Sequence, residues 1–258
     1  MTPHFITAKN IKTHFRIFGE GKEKLVFLHG WGGSSESFES LAPRIAKKAK
    51  MQALVVDLPG FGKSDPPPPE GWTTHEYQSW LKDFLRQQKI SKASFYGHSF
   101  GCRVLVRLLV HKPELAQKVI LSGAAGIRWP LSLRQKISVF LSKTFSPAKS
   151  LIPDRVQKFI LCRVFGARDW GMVPAELKAT LRKTLDEPDF RDELSQIKTP
   201  VLLLWGHNDQ ITPLRSAKVF ARELPHAKLK ILDGGRHGIH HTHGDKITKY
   251  VTQFLNEK

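Results

Sequence analysis

Ser99 stands between two glycines in Gly97-His98-Ser99-Phe100-Gly101, and four histidines, His237, His240, His241 and His243, crowd a short stretch near the C-terminus. A serine hydroxyl is a weak nucleophile at neutral pH and needs a base to take its proton, itself oriented by a third group. Together these residue types could attack an acyl carbonyl. The Gly-x-Ser-x-Gly pattern is common by chance, and it gains force here because an apolar, strand-like run precedes it and a helix-like run follows. His237 follows the Gly234-Gly235 turn most directly and is the expected base. The other three histidines are expected on the loop or the first turn of a final helix, with a solvated tract or an adventitious metal site as the alternative reading. Neither an HExxH spacing nor a cysteine partner supports a dedicated metal ion.

The orienting acid is expected at Asp209, in "LLLWGHNDQITP", after a strand-like run and between the serine and the histidines in the chain. Asp57, Asp65 and Asp233 compete for that role. Asp57 lies too early in the chain and reads as a turn-capping residue, and Asp233, close before His237, is the second choice. A developing oxyanion needs main-chain donors. The amide of Phe100, at a helix start, is one candidate, and the amide of Trp31 in "FLHGWGGS" is the other. Gly30-Trp31-Gly32-Gly33 has neither the G-x-G-x-x-G spacing nor a Walker lysine-serine pair, so no cofactor is expected.

The elements that must hold these groups can be read from the apolar runs. Lys24–Gly30, Ala53–Gly60, Ala93–Ser99, Lys118–Gly123, Val201–Gly206 and Leu229–Gly235 are short, rich in apolar and β-branched residues, and closed by glycine, as suits strands covered on both faces. Helix-like stretches alternate with them: Glu36–Lys50, Thr74–Gln88, Arg103–His111, Pro213–Glu223 and Asp245–Asn256. This alternation predicts an α/β fold with a parallel sheet, right-handed crossovers and a site beyond the carboxyl ends of the strands. Phe5–Phe18 reads as an antiparallel pair at one edge, and Pro66–Pro69 as a stiff extended loop. From Gly126 to Lys198 the strand pattern gives way to helical stretches, including "LSLRQKISVFLSKTF" and "PAELKATLRKTL". The expected organisation is a core of residues 1–125 and 199–258 and an inserted helical cap of residues 126–198. Within the cap, Trp129, Phe140, Phe159 and Trp170 are candidate substrate-binding residues, with packing inside the cap as the competing role.

With 258 residues, 40% hydrophobic and 25% charged, the chain can bury a sizeable core. No run is long and apolar enough to read as a membrane span, and the N-terminus lacks a signal-like apolar region, so a cytoplasmic protein is expected. Cys102 and Cys162, far apart in apolar settings, are expected to be reduced and buried. A formal charge of +18 favours anionic partners: nucleic acid, acidic lipid or an acidic carrier protein. Residues 128–168 hold nine Lys or Arg against Asp154 alone. No nucleic-acid-binding motif accompanies that excess.

The set "HGWGGSSESF", "VVDLPGFGKSD", "GHSFG", "WGHNDQITP" and "GGRHGIHH" resembles the α/β-hydrolase superfamily from Leu25 to Leu255, outside the insertion. The resemblance implies an eight-stranded, mostly parallel sheet, the triad Ser99, Asp209 and His237, and oxyanion donors at Trp31 and Phe100. Cys102 stands where many members have a further glycine, which bears on helix packing more than on chemistry. Similar capped members include carboxylesterases, carbon-carbon hydrolases of aromatic ring-cleavage products and the carrier-protein methyl esterase of biotin synthesis. The serine disfavours the members that use aspartate as nucleophile. The expected activity is therefore carboxylic ester hydrolysis on a small or carrier-bound acyl ester. Carbon-carbon hydrolysis and a non-catalytic, ligand-binding role with a basic partner surface are the alternatives.

Overall fold

The computed structural model describes residues 3–130 and 174–257. The first two strands, β1 (His4–Ala8) and β2 (Ile11–Phe18), form the expected antiparallel edge. Six further strands follow: β3 (Lys24–Leu28), β4 (Gln52–Val56), β5 (Ala93–His98), β6 (Ala116–Ser122), β7 (Val201–Gly206) and β8 (Ala227–Leu232). They complete one eight-stranded sheet in the order β1-β2-β4-β3-β5-β6-β7-β8, antiparallel as far as the β2–β4 pair and parallel from there on. β5 and β7 are buried at every position, which is why their sequences show no alternation. β8 is the exception. As an edge strand it exposes Lys228, Lys230 and Ile231, so its apolar pattern is thin and the strand starts at Ala227, before the expected Leu229.

Among the described residues the helices are α1 (Leu41–Ala49), α2 (Thr74–Gln87), α3 (Phe100–His111), α4 (Lys178–Asp186), α5 (Arg191–Leu194), α6 (Leu214–Glu223), α7 (Ile239–Thr242) and α8 (Gly244–Asn256). α2 starts at a capping box: Thr73 Oγ1 accepts the His75 N–H at 3.2 Å, and the Glu76 carboxylate accepts the Thr73 N–H at 2.7 Å. The expected first helix divides into a 3₁₀ turn, Ser35–Phe38, and α1, while α3 begins at Phe100, ahead of the expected Arg103. α2, α3 and α6 cover one face of the sheet in a core that includes Trp80, Phe95, Leu105 and Trp205. α1 and α8 cover the other, around Phe27, Phe38, Tyr96 and Phe254.

The chain runs from β3 outward to β4 and then crosses back to β5 on the other side of β3. The carboxyl ends of β3 and β5 therefore flank a point where strand order reverses, the place where open α/β sheets form binding crevices. Residues 174–198 are fixed to the sheet and its helices by buried polar contacts. Thr180 Oγ1 accepts the Trp72 N–H at 3.0 Å, and the Glu187 carboxylate accepts from Thr74 Oγ1 at 2.6 Å and Arg103 at 2.9 Å. Phe140, Phe159, Trp170, Cys162 and the helical expectation for residues 131–145 lie outside the described residues. Cys102 is buried and unpaired, and burial raises its thiol pKa. Among the described residues no helix is long and apolar enough to cross a membrane.

Candidate active site

β5 ends at His98 and α3 begins at Phe100, leaving Ser99 alone to make the turn. Its φ of 49° and ψ of −107° lie outside the left-handed well that Lys50 occupies at 54° and 38°. Such backbone is costly for any residue with a Cβ and persists only where its surroundings enforce it. Here the Ser99 N–H donates to the Ser122 carbonyl at 3.0 Å, and the Gly101 N–H to the His29 carbonyl at 3.1 Å. Only glycine fits at position 101, since a Cβ there would collide with the carbonyls of Leu28 and His29. Strand β3 and the turn after β5 are thereby pressed together at the crevice.

His237, in the turn after β8, and Asp209, in the turn after β7, meet at 2.8 Å, the histidine Nδ1–H donating to Asp209 Oδ2. The carboxylate is otherwise saturated: its Oδ1 accepts the Ile211 and Thr212 amides, both at 2.9 Å, and its Oδ2 accepts Thr212 Oγ1 at 2.8 Å. Burial pushes the Asp209 pKa up, but the His237 hydrogen bond and charge, with the Thr212 donors, outweigh it and hold the group below the ordinary carboxylate value. A methyl group at Gly123 would lie 3.3 Å from the His237 ring and 3.4 Å from Asp209. Its neighbour Ser122 is the residue that receives the Ser99 N–H. The ends of β5, β6, β7 and β8 thus set the Asp209–His237 pair against Gly123, next to the residue that holds the Ser99 turn.

The competing carboxylates sit elsewhere. Asp233 is 94% exposed, with His207 3.9 Å away, and Asp65 is also exposed. Asp57 is buried and organises a turn, as expected: it accepts from His14 Nδ1 at 2.7 Å, the Ser35 amide at 2.5 Å and the Lys63 amide at 2.9 Å. Burial raises its pKa, and these donors more than offset that, leaving it lowered.

Phe100 is the first residue of α3, so its N–H is one of the amides a helix start leaves without an internal partner. Trp31 occupies the second position of a turn closed by the Gly33 N–H on the Gly30 carbonyl at 3.0 Å, with Gly32 at φ 75°, the signature of a type II turn. His29 fixes this loop. Its Nε2 accepts the Leu58 N–H at 3.0 Å, which leaves Nδ1–H to donate to the Gly30 carbonyl at 2.7 Å, and burial lowers its pKa so the ring stays neutral. The Trp31 ring meets Phe100 and Phe61 edge-on, with centroids 5.2 Å and 5.0 Å apart, so the Trp31 loop and the start of α3 also pack against each other.

The sequence reading missed a histidine array behind His237. The His98 ring lies 4.7 Å from His237 and 4.4 Å from His240, and His240 lies 4.1 Å from His241. Burial lowers the pKa of His98 and takes that of His240 down to about 3. The solvated-loop alternative therefore fails for His240, which is 6% exposed. From Ile239, α7 turns one side of its short helix inward, toward Phe38 and His98. His241 and His243 remain at the surface, His243 Nε2 donating to the Asp233 carbonyl at 3.0 Å. Among the described residues no group of three or more His, Cys, Asp or Glu is arranged to hold a metal ion. Trp129 is half-buried in the segment after β6, its indole N–H donating to Ser216 Oγ at 2.8 Å.

Comparison with known proteins places the chain in a family. The sequence matches the alpha/beta hydrolase family from residue 25 to residue 249. The chain belongs to the alpha/beta hydrolase family. Among the relatives of this hydrolase, the pimeloyl-[acyl-carrier protein] methyl ester esterase of Nitrosomonas europaea is 28% identical over 84% of this chain and 88% of its own. The 2-hydroxy-6-oxononadienedioate/2-hydroxy-6-oxononatrienedioate hydrolase of Burkholderia vietnamiensis is 24% identical over 95% of this chain and 91% of its own. The enol-lactonase of Burkholderia xenovorans LB400 shares the fold, with a TM-score of 0.75 at 22% identity, covering 98% of this chain and 100% of that one.

Proposed function

We propose that this α/β-hydrolase cleaves a carboxylic ester through a Ser99-His237-Asp209 triad and an acyl-enzyme. The observation that carries the reading is the Asp209-His237 pair, 2.8 Å long, packed against Gly123 beside the residue that holds the strained Ser99 backbone. Ser99 Oγ attacks the ester carbonyl as His237 Nε2 takes its proton. Asp209, bonded to Nδ1–H, fixes the tautomer that leaves Nε2 free and stabilises the imidazolium that forms. The carbonyl oxygen, now an anion, is met by the amides of Trp31 and Phe100, each worth about 3 to 4 kcal/mol in the transition state. The C–O bond to the alcohol breaks, His237 protonates the departing alkoxide, and water activated by the same base releases the acid.

Residues 126–198 serve in this reading as the cap over the crevice, and their basic stretch suits an acyl chain presented by an acidic carrier protein. The 28% identical methyl esterase supports that choice of ester. Carbon-carbon hydrolysis is the second reading, supported by the 24% identical dienedioate hydrolase. Rates on an acyl-carrier methyl ester, on small p-nitrophenyl esters and on a 2-hydroxy-6-oxodienoate decide between them. Ester turnover that falls about 10⁴-fold in Asp209→Asn is the expected result. Turnover confined to the dienoate would replace the ester reading with the second.

A further inference from the structure

Two guanidinium groups lie over the Trp129 ring, Arg215 at 4.2 Å and Arg191 at 5.2 Å from its centroid. The ring itself is pinned by its bond to Ser216. Arg191 Nη2 donates to the Arg128 carbonyl at 2.9 Å, and Asp189 accepts the Arg128 amide at 2.7 Å and the Arg191 amide at 2.9 Å. Three arginines therefore gather around one tryptophan and one carboxylate. Asp189 reaches Arg191 at 3.4 Å, whereas Arg215 is exposed and has no carboxylate partner among the described residues.

The placement of Arg215 works against local stability. It occupies the first turn of α6, where a cation opposes the helix dipole. Packing on Trp129 would be served as well by an apolar side chain. A guanidinium stacked on an indole keeps its planar fork of N–H donors oriented at low entropic cost, which matches the two oxygens of a carboxylate or phosphate. The cluster also lies on the strand-end side of the molecule. Arg215 follows the Asp209 turn, where Ile211 is 70% exposed, and Trp129 follows Gly123, which packs against His237.

We infer that Arg215 and Arg191, held over Trp129, form a subsite for an anionic group, a carboxylate or a phosphate, that the ester substrate carries away from its scissile carbonyl. The inference rests on the ester-hydrolase reading and gives it a substrate class: acyl esters with a second, negatively charged end. That charge could belong to the acyl chain itself or to the phosphate of a pantetheine arm.

The test compares kcat/KM for the p-nitrophenyl half-ester of adipic acid with that for p-nitrophenyl hexanoate, in wild type and Arg215→Gln. The ratio of charged to neutral ester should fall about tenfold in the variant, carried by KM. A ratio that does not change overturns the inference, even if both rates drop, because a purely structural role would lower them together. A second arm does not depend on turnover. Ser99→Ala protein is titrated calorimetrically with monomethyl adipate and, separately, with 4′-phosphopantetheine, each with and without Arg215→Gln. Binding lost on Arg215→Gln supports the subsite, and whichever probe binds identifies the source of the charge. If neither binds, or if the substitution leaves binding unchanged, the subsite does not exist. Failure of the ester reading would instead appear as a wild type that hydrolyses neither ester.

Discussion

Ser99 makes its turn with strained backbone, so its two smallest replacements should differ in stability. Glycine accepts a φ of 49° without penalty and alanine does not. Both Ser99→Gly and Ser99→Ala remove the hydroxyl, but the glycine variant should be more stable than the alanine variant by about 1 kcal/mol in urea unfolding. Equal stabilities would mean that the turn is not strained. At this scale much of the site was legible. Gly-x-Ser-x-Gly after a strand, Asp209 after another and a histidine after a double glycine are local patterns, and each is set by a turn a few residues long. His98 and His240 were not legible as partners, because their contact depends on α7 folding back against the turn after β5, a distance in sequence that no local pattern spans. The competing carboxylates needed the structure for the same reason: burial separates Asp209 from the exposed Asp233.

Between elements, α5 is joined to α3 through charge. Arg107 is 4% exposed on α3. Its Nη1 donates to Glu193 on α5 at 2.5 Å, its Nε to Thr74 Oγ1 at 3.2 Å, and its guanidinium lies 4.4 Å from the Phe190 ring centroid. Removing one member of such a pair strands the other. Arg107→Met should cost about 3 kcal/mol in urea unfolding, and Arg107→Met with Glu193→Leu should recover much of that loss. A double variant no better than the single would locate the cost in the Phe190 and Thr74 contacts instead. The elements themselves were readable where both faces are covered, as in β5 and β7, since continuous apolar runs leave little choice. They were less readable at β8, where an edge strand alternates with lysines, and at the 3₁₀ turn before α1, whose Ser34 cap reads like an ordinary helix start.

Across the whole molecule, the buried neutral histidines tie stability to pH. An unfolded chain protonates His240 near the ordinary 6.5, whereas the folded protein keeps it neutral down to about 3, and burial moves His29 and His98 in the same direction. Between those pH values the unfolded state binds more protons, so the contribution is complete above pH 6.5 and is lost as the pH falls. Asp57 and Asp209, with lowered pKa values, add a further loss below the ordinary carboxylate value of 3.8. His240→Phe should therefore flatten the dependence of unfolding free energy on pH between 6 and 4 by about 1.4 kcal/mol per unit, measured by urea titration across that range. An unchanged slope would show that His240 gains its proton in the folded state. The central claim, that the fold activates Ser99, is tested most directly by treating wild type and Ser99→Ala with an alkyl fluorophosphonate and weighing the intact proteins. The account predicts one adduct on the wild type and none on the folded variant. Adducts on both, or on neither, would contradict it.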